Sequence, residues 1–451
     1  MSTKSLRRMA TPLVVSFTAR FLFTFVDIAY AAVIDDSNAA VAAIGFFAPI
    51  QSVFIAIWAG LSAGFTASIA HAMGAGDRGR VTALKRAMVR ILIVLIPSLA
   101  LTIGGGVQLV VPWLDLEPRF ADAFTTYATT IGIGMPLFGF LSIYPDSIVK
   151  AHQETRSTMV AGLASTVANV ILNTLFVFGF GLGIFGIALA TVLSRLAGLG
   201  YAMHRAGILE RAAGAEAGAA SRAWPSPYTA ILQLAAPGAL AWLLQAGEQT
   251  VVNKVLAGLP DATTAIATYG VFNQLLMLAL MPTTACAIAV VPWVARLMPA
   301  GERIRIGREL GQVLAGLLGI ALVMTLMMGF VFAAPLAEFF VAQKPGADPA
   351  APSPALGPLR FLPIAALAAI PFLLLRPFFE GAHRPRIGMS VSIVRFGLLG
   401  PPLIWWSPAV AAALGLRGVE GVILGVATAA AIAAAWTASR ARAVLRAASA
   451  P

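Results

Sequence analysis

Twelve apolar runs, each long enough to cross a lipid bilayer, constrain this chain more than any other feature. They fall near residues 11–33, 40–73, 84–112, 121–149, 157–180 and 184–206, and again near 228–256, 266–297, 309–341, 356–381, 387–412 and 416–439. Spanning the hydrocarbon core takes about 20 apolar residues in a helix. Only helices and closed barrels satisfy every backbone polar group there. The runs are continuous, whereas a membrane β-barrel needs alternating segments of about 10 residues. The expected fold is therefore an all-α polytopic membrane protein. Composition agrees: 11% of residues are charged, against about 25% in a soluble chain. The basic start (Lys4, Arg7, Arg8) and Ala29-Tyr30-Ala31 imitate a secretory signal with a cleavage site. The first run is too long for that and carries Arg20 and Asp27, so it reads as a retained first helix.

The connections alternate in charge. Arg78, Arg80, Lys85, Arg86 and Arg90 crowd the loop after the second run, whereas the preceding turn holds Asp35 and Asp36 and no base. Lys150 and Arg156, then Arg205, Arg211 and Arg222, then Arg303, Arg305 and Arg308, then Arg384 and Arg386, and finally Arg440, Arg442 and Arg446 fall on the side of the N-terminus. Basic loops stay in the cytoplasm, which predicts both termini inside a multi-pass bacterial cell membrane. The net charge of +12 then reads as attraction to the cytoplasmic leaflet, with membrane lipid and no nucleic acid as partner. One cysteine, Cys286, excludes an intrachain disulfide, and the four histidines show no metal-ligand spacing.

The halves repeat. Ile69–Arg80 (IAHAMGAGDRGR) aligns without a gap with Val294–Arg305 (VARLMPAGERIR), and Pro12 aligns with Pro237 at the same offset. Arg156 and Met159 match Arg386 and Met389, and Gly183 and Gly186 match Gly418 and Gly421. The expected organisation is an N-terminal six-helix lobe (1–206), a cytoplasmic linker (207–227) and a C-terminal six-helix lobe (228–451). Six spans per repeat give the halves one orientation, a transporter architecture with the substrate path at the repeat interface. The Pro- and Ala-rich stretch 342–358 reads as an extracellular loop without a packed core.

Asp27 lies well past the middle of the first run. An intramembrane acid is costly, and such residues mostly mark ion or proton pathways. The competing reading is a pairing with Arg20, two turns back on the same face.

In their order and spacing, several segments resemble the multidrug and toxic compound extrusion (MATE) exporters, within the group that also includes lipid-linked oligosaccharide flippases. These are Pro12 with Phe25-Val26-Asp27, Ala39–Pro49, Gly60–Gly64, Gly74–Asp77, Ala168–Gly179 and Gly186–Ser194. The resemblance covers nearly the whole chain. It implies two pseudo-symmetric six-helix bundles splayed around a central cavity, and export of organic, often cationic, drug-like compounds driven by inward flow of protons or sodium ions. Carried over to this sequence, it implies a cation-coupling site at Asp27, Asn169, Asn173 and Thr191. It implies no enzyme activity and no cofactor beyond the coupling ion, H+ or Na+. A monomer acting on small organic substrates is expected.

The residues themselves agree with that site. Asn169 and Asn173 are four apart, which puts both amides on one helix face. With Thr191 they offer oxygen ligands to a hard cation such as sodium; for a proton, Asp27 alone suffices. The alternative for the pair is interhelical hydrogen bonding.

The chain also departs from the family pattern. Asn173 stands where some members have an acid, and Arg20 lies near Asp27. Glu248 is a turn beyond the place of a C-lobe acid in the seventh span, which Gln245 occupies. Arg376 stands in the tenth span where such members have an acid, and its repeat mate is Asp146. That pair is expected as a gate between oppositely charged halves or as two interfacial charges. Asn273 is a candidate cavity residue, and Arg195 and Arg395 are candidate interior partners for acids.

The leading expectation is a cation-coupled antiporter. A flippase for a lipid-linked precursor is the alternative, kept open by Arg20, Arg195, Arg376 and Arg395. No Gly-rich phosphate loop ending in Gly-Lys-Ser/Thr occurs, which disfavours an ATP-driven pump.

Overall fold

The computed structural model describes residues 5–31, 33–34, 37–113, 116–213, 226–340, 353–354 and 356–446. Side chains of 16–26 fall outside the described set, so the relation of Arg20 to Asp27 lies outside it too. Among the described residues, twelve long helices make up the fold. They are α1 (Leu6–Ala31), α2 (Ser37–Gly74), α3 (Arg78–Trp113), α4 (Pro118–Ala151), α5 (Thr155–Gly179) and α6 (Gly183–Ala213). The second six are α7 (Pro227–Ala257), α8 (Ala262–Leu297), α9 (Arg303–Val331), α10 (Leu362–Gly381), α11 (Pro385–Ala413) and α12 (Gly418–Arg446). Among the described residues, eleven of them are long and apolar enough to cross a membrane; α1, half of whose side chains are outside that set, makes the twelfth. Of the stretch 342–358 expected as a loop, 342–352 and 355 lie outside the described residues, while Leu356–Leu359 forms a helical turn.

Apolar surface points outward along these helices. On α3, Val94, Leu101 and Leu109 are 68%, 74% and 73% exposed. Left in water such a stripe would cost about 25 cal/mol per Å²; facing lipid tails it costs nothing, which identifies an integral membrane protein.

The chain forms two compact units, each with its own interior. The first is built on Arg8–Ala239 with Ala295–Ala300, the second on Leu240–Val294 and Gly301–Pro451 with Ser5–Arg7. In the first unit, α5 and α6 pack along one another, and α2 packs on α4. Gly60 and Gly64 let α2 approach the first half of α7 closely. A Cβ at Gly64 would lie 2.6 Å from the Ile231 carbonyl oxygen, and one at Gly60 would lie 2.5 Å from that of Ala235. In the second unit α12 packs against both α10 and α11.

The internal repeat is written into the backbone. Gly76 and Gly301, at the repeat offset, both adopt the left-handed region, with φ of 73° and 77°. Gln153 and His383, also repeat mates, do so without being glycine, at 60° and 55°. The turns around them carry the same bonds: Gln153 N to Lys150 O and Glu154 N to Val149 O in one, His383 N to Glu380 O and Arg384 N to Phe379 O in the other.

Several helices widen into π turns: Ala100–Gly105, Met135–Gly139, Leu175–Gly179, Met327–Val331 and Ile393–Leu399. Pro97 precedes the first and Pro136 sits in the second. Pro401 and Pro402 follow the last, so the carbonyls one turn earlier lose their usual N–H donors. Such turns cluster at functional sites, and two of them border the charged interior groups described next.

Candidate functional site

In the first unit the structure brings Asp27, Asn169, Asn173 and Thr191 together. Asp27 is half-buried on α1, one helical turn before Tyr30. The Tyr30 hydroxyl is 2.6 Å from the Thr174 hydroxyl, and its ring packs on Phe178, so α1 is pinned to α5 beside the acid. Asn173, fully buried, donates from Nδ2 to Asp27 Oδ1 at 2.8 Å, and the same amide group lies 3.3 Å from Asn169 Oδ1. The Thr191 hydroxyl lies 3.1 Å from Asp27 Oδ2 and 3.0 Å from the Ile187 carbonyl, and one proton serves one of them at a time. Asn169 Nδ2 reaches Thr191 Oγ1 at 3.4 Å.

Two features set this cluster apart from ordinary interhelical hydrogen bonding. Both Asp27 oxygens receive neutral donors in the bonds above. The buried Asn173 Oδ1 has no hydrogen-bond partner, and a buried acceptor left so costs about 1–3 kcal/mol. A carboxylate, two side-chain amides and a hydroxyl thus meet from three helices, immediately before the π turn Leu175–Gly179. That donor set suits a hard monovalent cation, since hard ions take oxygen ligands. Among the described residues, no group of three or more His, Cys, Asp or Glu side chains could hold a metal.

The other sequence candidates are dispersed. Asp146, on α4, pairs with Lys150 one turn on at 2.5 Å and accepts from the Thr158 hydroxyl at 2.9 Å. Lys150 lies over the Trp58 ring. Arg376, on α10, pairs with Glu380 at 2.8 Å. Each finds its partner four residues along its own helix, and the two pairs are repeat mates of opposite polarity. Gln245 on α7 and Asn273 on α8 are half-buried.

Glu248 has a stronger environment than its sequence position suggests. It is buried on α7 in a two-pronged ion pair with Arg395 of the π turn Ile393–Leu399. Arg395 Nη2 also lies 3.4 Å from the Val426 carbonyl, and the guanidinium sits over Phe396. Sequence reasoning marked both residues but not their partnership, because they lie 147 positions apart. It missed Tyr30, Lys150 and Glu380; the i,i+4 spacing of the last two from Asp146 and Arg376 was the available signal.

A profile of the family described as MatE matches residues 12–175 and 237–406. The FAD transporter of Shewanella oneidensis is 25% identical over 85% of this chain and 82% of its own. A probable multidrug resistance protein, NorM, of Bradyrhizobium diazoefficiens is 25% identical over 72% and 69%. Among solved structures, the Vibrio cholerae MATE transporter VcmN in its bent form superposes with a TM-score of 0.83 over 98% of this chain and 96% of that one, at 23% identity. That likeness concerns the fold.

Proposed function

The chain belongs to the MatE family, and from that premise we propose that it is a secondary active antiporter. It exports organic, drug-like compounds in exchange for a proton or sodium ion that binds at Asp27. The observation that carries this reading is the convergence on Asp27 of neutral donors from Asn173 and Thr191, with the Asn173 carbonyl oxygen left over for a cation. Cation arrival neutralises a half-buried charge, and the amide and hydroxyl groups turn from donors to ligands. That rearrangement gives the α1–α5–α6 cluster two states which a cation biases, the requirement for coupling. Alternating access by rocking of two six-helix lobes, 1–206 and 228–451, with both termini cytoplasmic, completes the reading.

A second reading concerns cargo. The Shewanella relative described as an FAD transporter matches over most of both chains, so an anionic flavin dinucleotide stands beside cationic compounds as a substrate. The test is efflux from proteoliposomes carrying a cationic dye or FAD, under a proton gradient alone and a sodium gradient alone. Acceleration of the efflux of one cargo by one gradient, with that acceleration lost in Asp27→Asn, is the expected result. Efflux that ignores both gradients would overturn the antiport reading.

A further inference from the structure

The second unit holds a counterpart of the Asp27 cluster. Val426, whose carbonyl accepts from Arg395, is the repeat mate of Thr191 at the offset that relates Gly183 to Gly418. Glu248 lies on α7, the repeat mate of α1, four residues before Val252, which corresponds to Asp27. Arg395 lies on α11, the repeat mate of α5. In each unit, then, an acid on the first helix of the repeat meets groups from the fifth and sixth, beside a π turn. Among the described residues, the partners differ in charge. Asp27 receives neutral hydrogen bonds. Glu248 receives a guanidinium on both oxygens.

We propose that Arg395 is a tethered cation: it occupies at Glu248 the place that a mobile coupling ion takes at Asp27, so each chain exchanges cations at one acid instead of two. This rests on the Asp27 reading above. The geometry supports it in three ways. Glu248 and Arg395 are 8% and 5% exposed, so the pair is closed to exchange with bulk ions. A bidentate guanidinium satisfies carboxylate charge and lone pairs together, leaving no field to draw a second cation. Gly400 faces Glu248 so closely that a Cβ there would collide with Oε2, and the π turn at 393–399 carries the Arg395 side chain into the interior. Arg395 is thus a residue that sets coupling stoichiometry, acting through Glu248.

The test counts cations bound by the purified full-length protein in lipid nanodiscs. Sodium-22 reports sodium, and proton uptake on acidification, compared between variants, reports protons. Glu248→Gln is expected to leave the wild-type count unchanged, whereas Asp27→Asn removes one. Arg395→Met is expected to add one, and Glu248→Gln in that background to remove it again. A structural clamp would change stability but not the count. Loss of a cation in Glu248→Gln alone, or no gain in a folded Arg395→Met, overturns the proposal. The Glu248→Gln arm decides even where Arg395→Met does not fold. An unchanged count in Asp27→Asn refutes the Asp27 reading by itself and leaves the Glu248 and Arg395 arms interpretable.

Discussion

Replacing Asn173 by Leu separates binding from folding. The side chains are similar in size, so little cavity forms. The substitution removes the charge-assisted bond to Asp27 at 2.8 Å, worth about 1.5–3 kcal/mol. It also removes the longer contact to Asn169 at 3.3 Å, worth about 0.6 kcal/mol between membrane helices. Against these losses it deletes the buried Asn173 Oδ1 that has no hydrogen-bond partner, returning about 1–3 kcal/mol. The terms largely cancel, so reversible unfolding in micelles is expected to show a change under about 3 kcal/mol. Cation binding has no such compensation. Loss of one interaction of about 1.5–3 kcal/mol shifts half-saturation roughly ten- to hundredfold, at 1.4 kcal/mol per decade. Titration of the purified variant with each cation measures this. A shift under about threefold, or destabilisation above about 4 kcal/mol, would mean that Asn173 is an interhelical staple and refute the argument.

Three further outcomes follow from the structure. Arg395→Met strands the buried Glu248 carboxylate and is expected to lose about 3–5 kcal/mol, most of it recovered in the double variant with Glu248→Leu; additive single effects in an unfolding cycle would contradict the pairing. Gly64→Val pushes α2 off α7, since even a Cβ lies 2.6 Å from the Ile231 oxygen, and should cost about 1–3 kcal/mol or more. Gly45→Ala, with open space around it inside α2, is the control that should leave the thermal midpoint level or slightly raised, since Ala suits a helix interior better than Gly. His152, in the turn between α4 and α5, is held below its ordinary value of about 6.5 by burial first, then by Arg296 and Lys85, with Glu210 and Glu154 opposing. The unfolded chain therefore binds more protons as pH falls below that ordinary value, so stability of the turn is full above it and declines on acidification. Hydrogen exchange at 149–156 should rise on acidification in the wild type and stay flat in His152→Gln.

The helices were legible in the sequence for physical reasons, whereas the grouping of Asp27 with Asn169, Asn173 and Thr191 was legible through the resemblance to the MATE exporters. A bilayer-spanning helix must be apolar along its whole length, so α2 to α12 announce themselves without tertiary information. Asn169 and Asn173 share a face through local helical geometry, and the repeat offsets align loops that the structure shows to share even their left-handed residues. What stayed hidden depended on register between distant helices. Glu248 and Arg395 meet from different helices at a π turn of α11, and the sequence pattern marks that turn only by the Pro401-Pro402 that follows. For Asp146 and Arg376 the sequence leaves open a gate between the halves or two interfacial charges. Each is bound to a partner on its own helix, Lys150 or Glu380, because a partner four residues away on the same helix costs little entropy to reach.

The central claim is that Asp27 couples cation flow to export. The most direct measurement compares uphill and downhill transport of one substrate by Asp27→Asn in proteoliposomes. The account predicts that downhill exchange continues while accumulation against the substrate gradient disappears under both proton and sodium gradients. A variant that still concentrates substrate at the wild-type rate would contradict it.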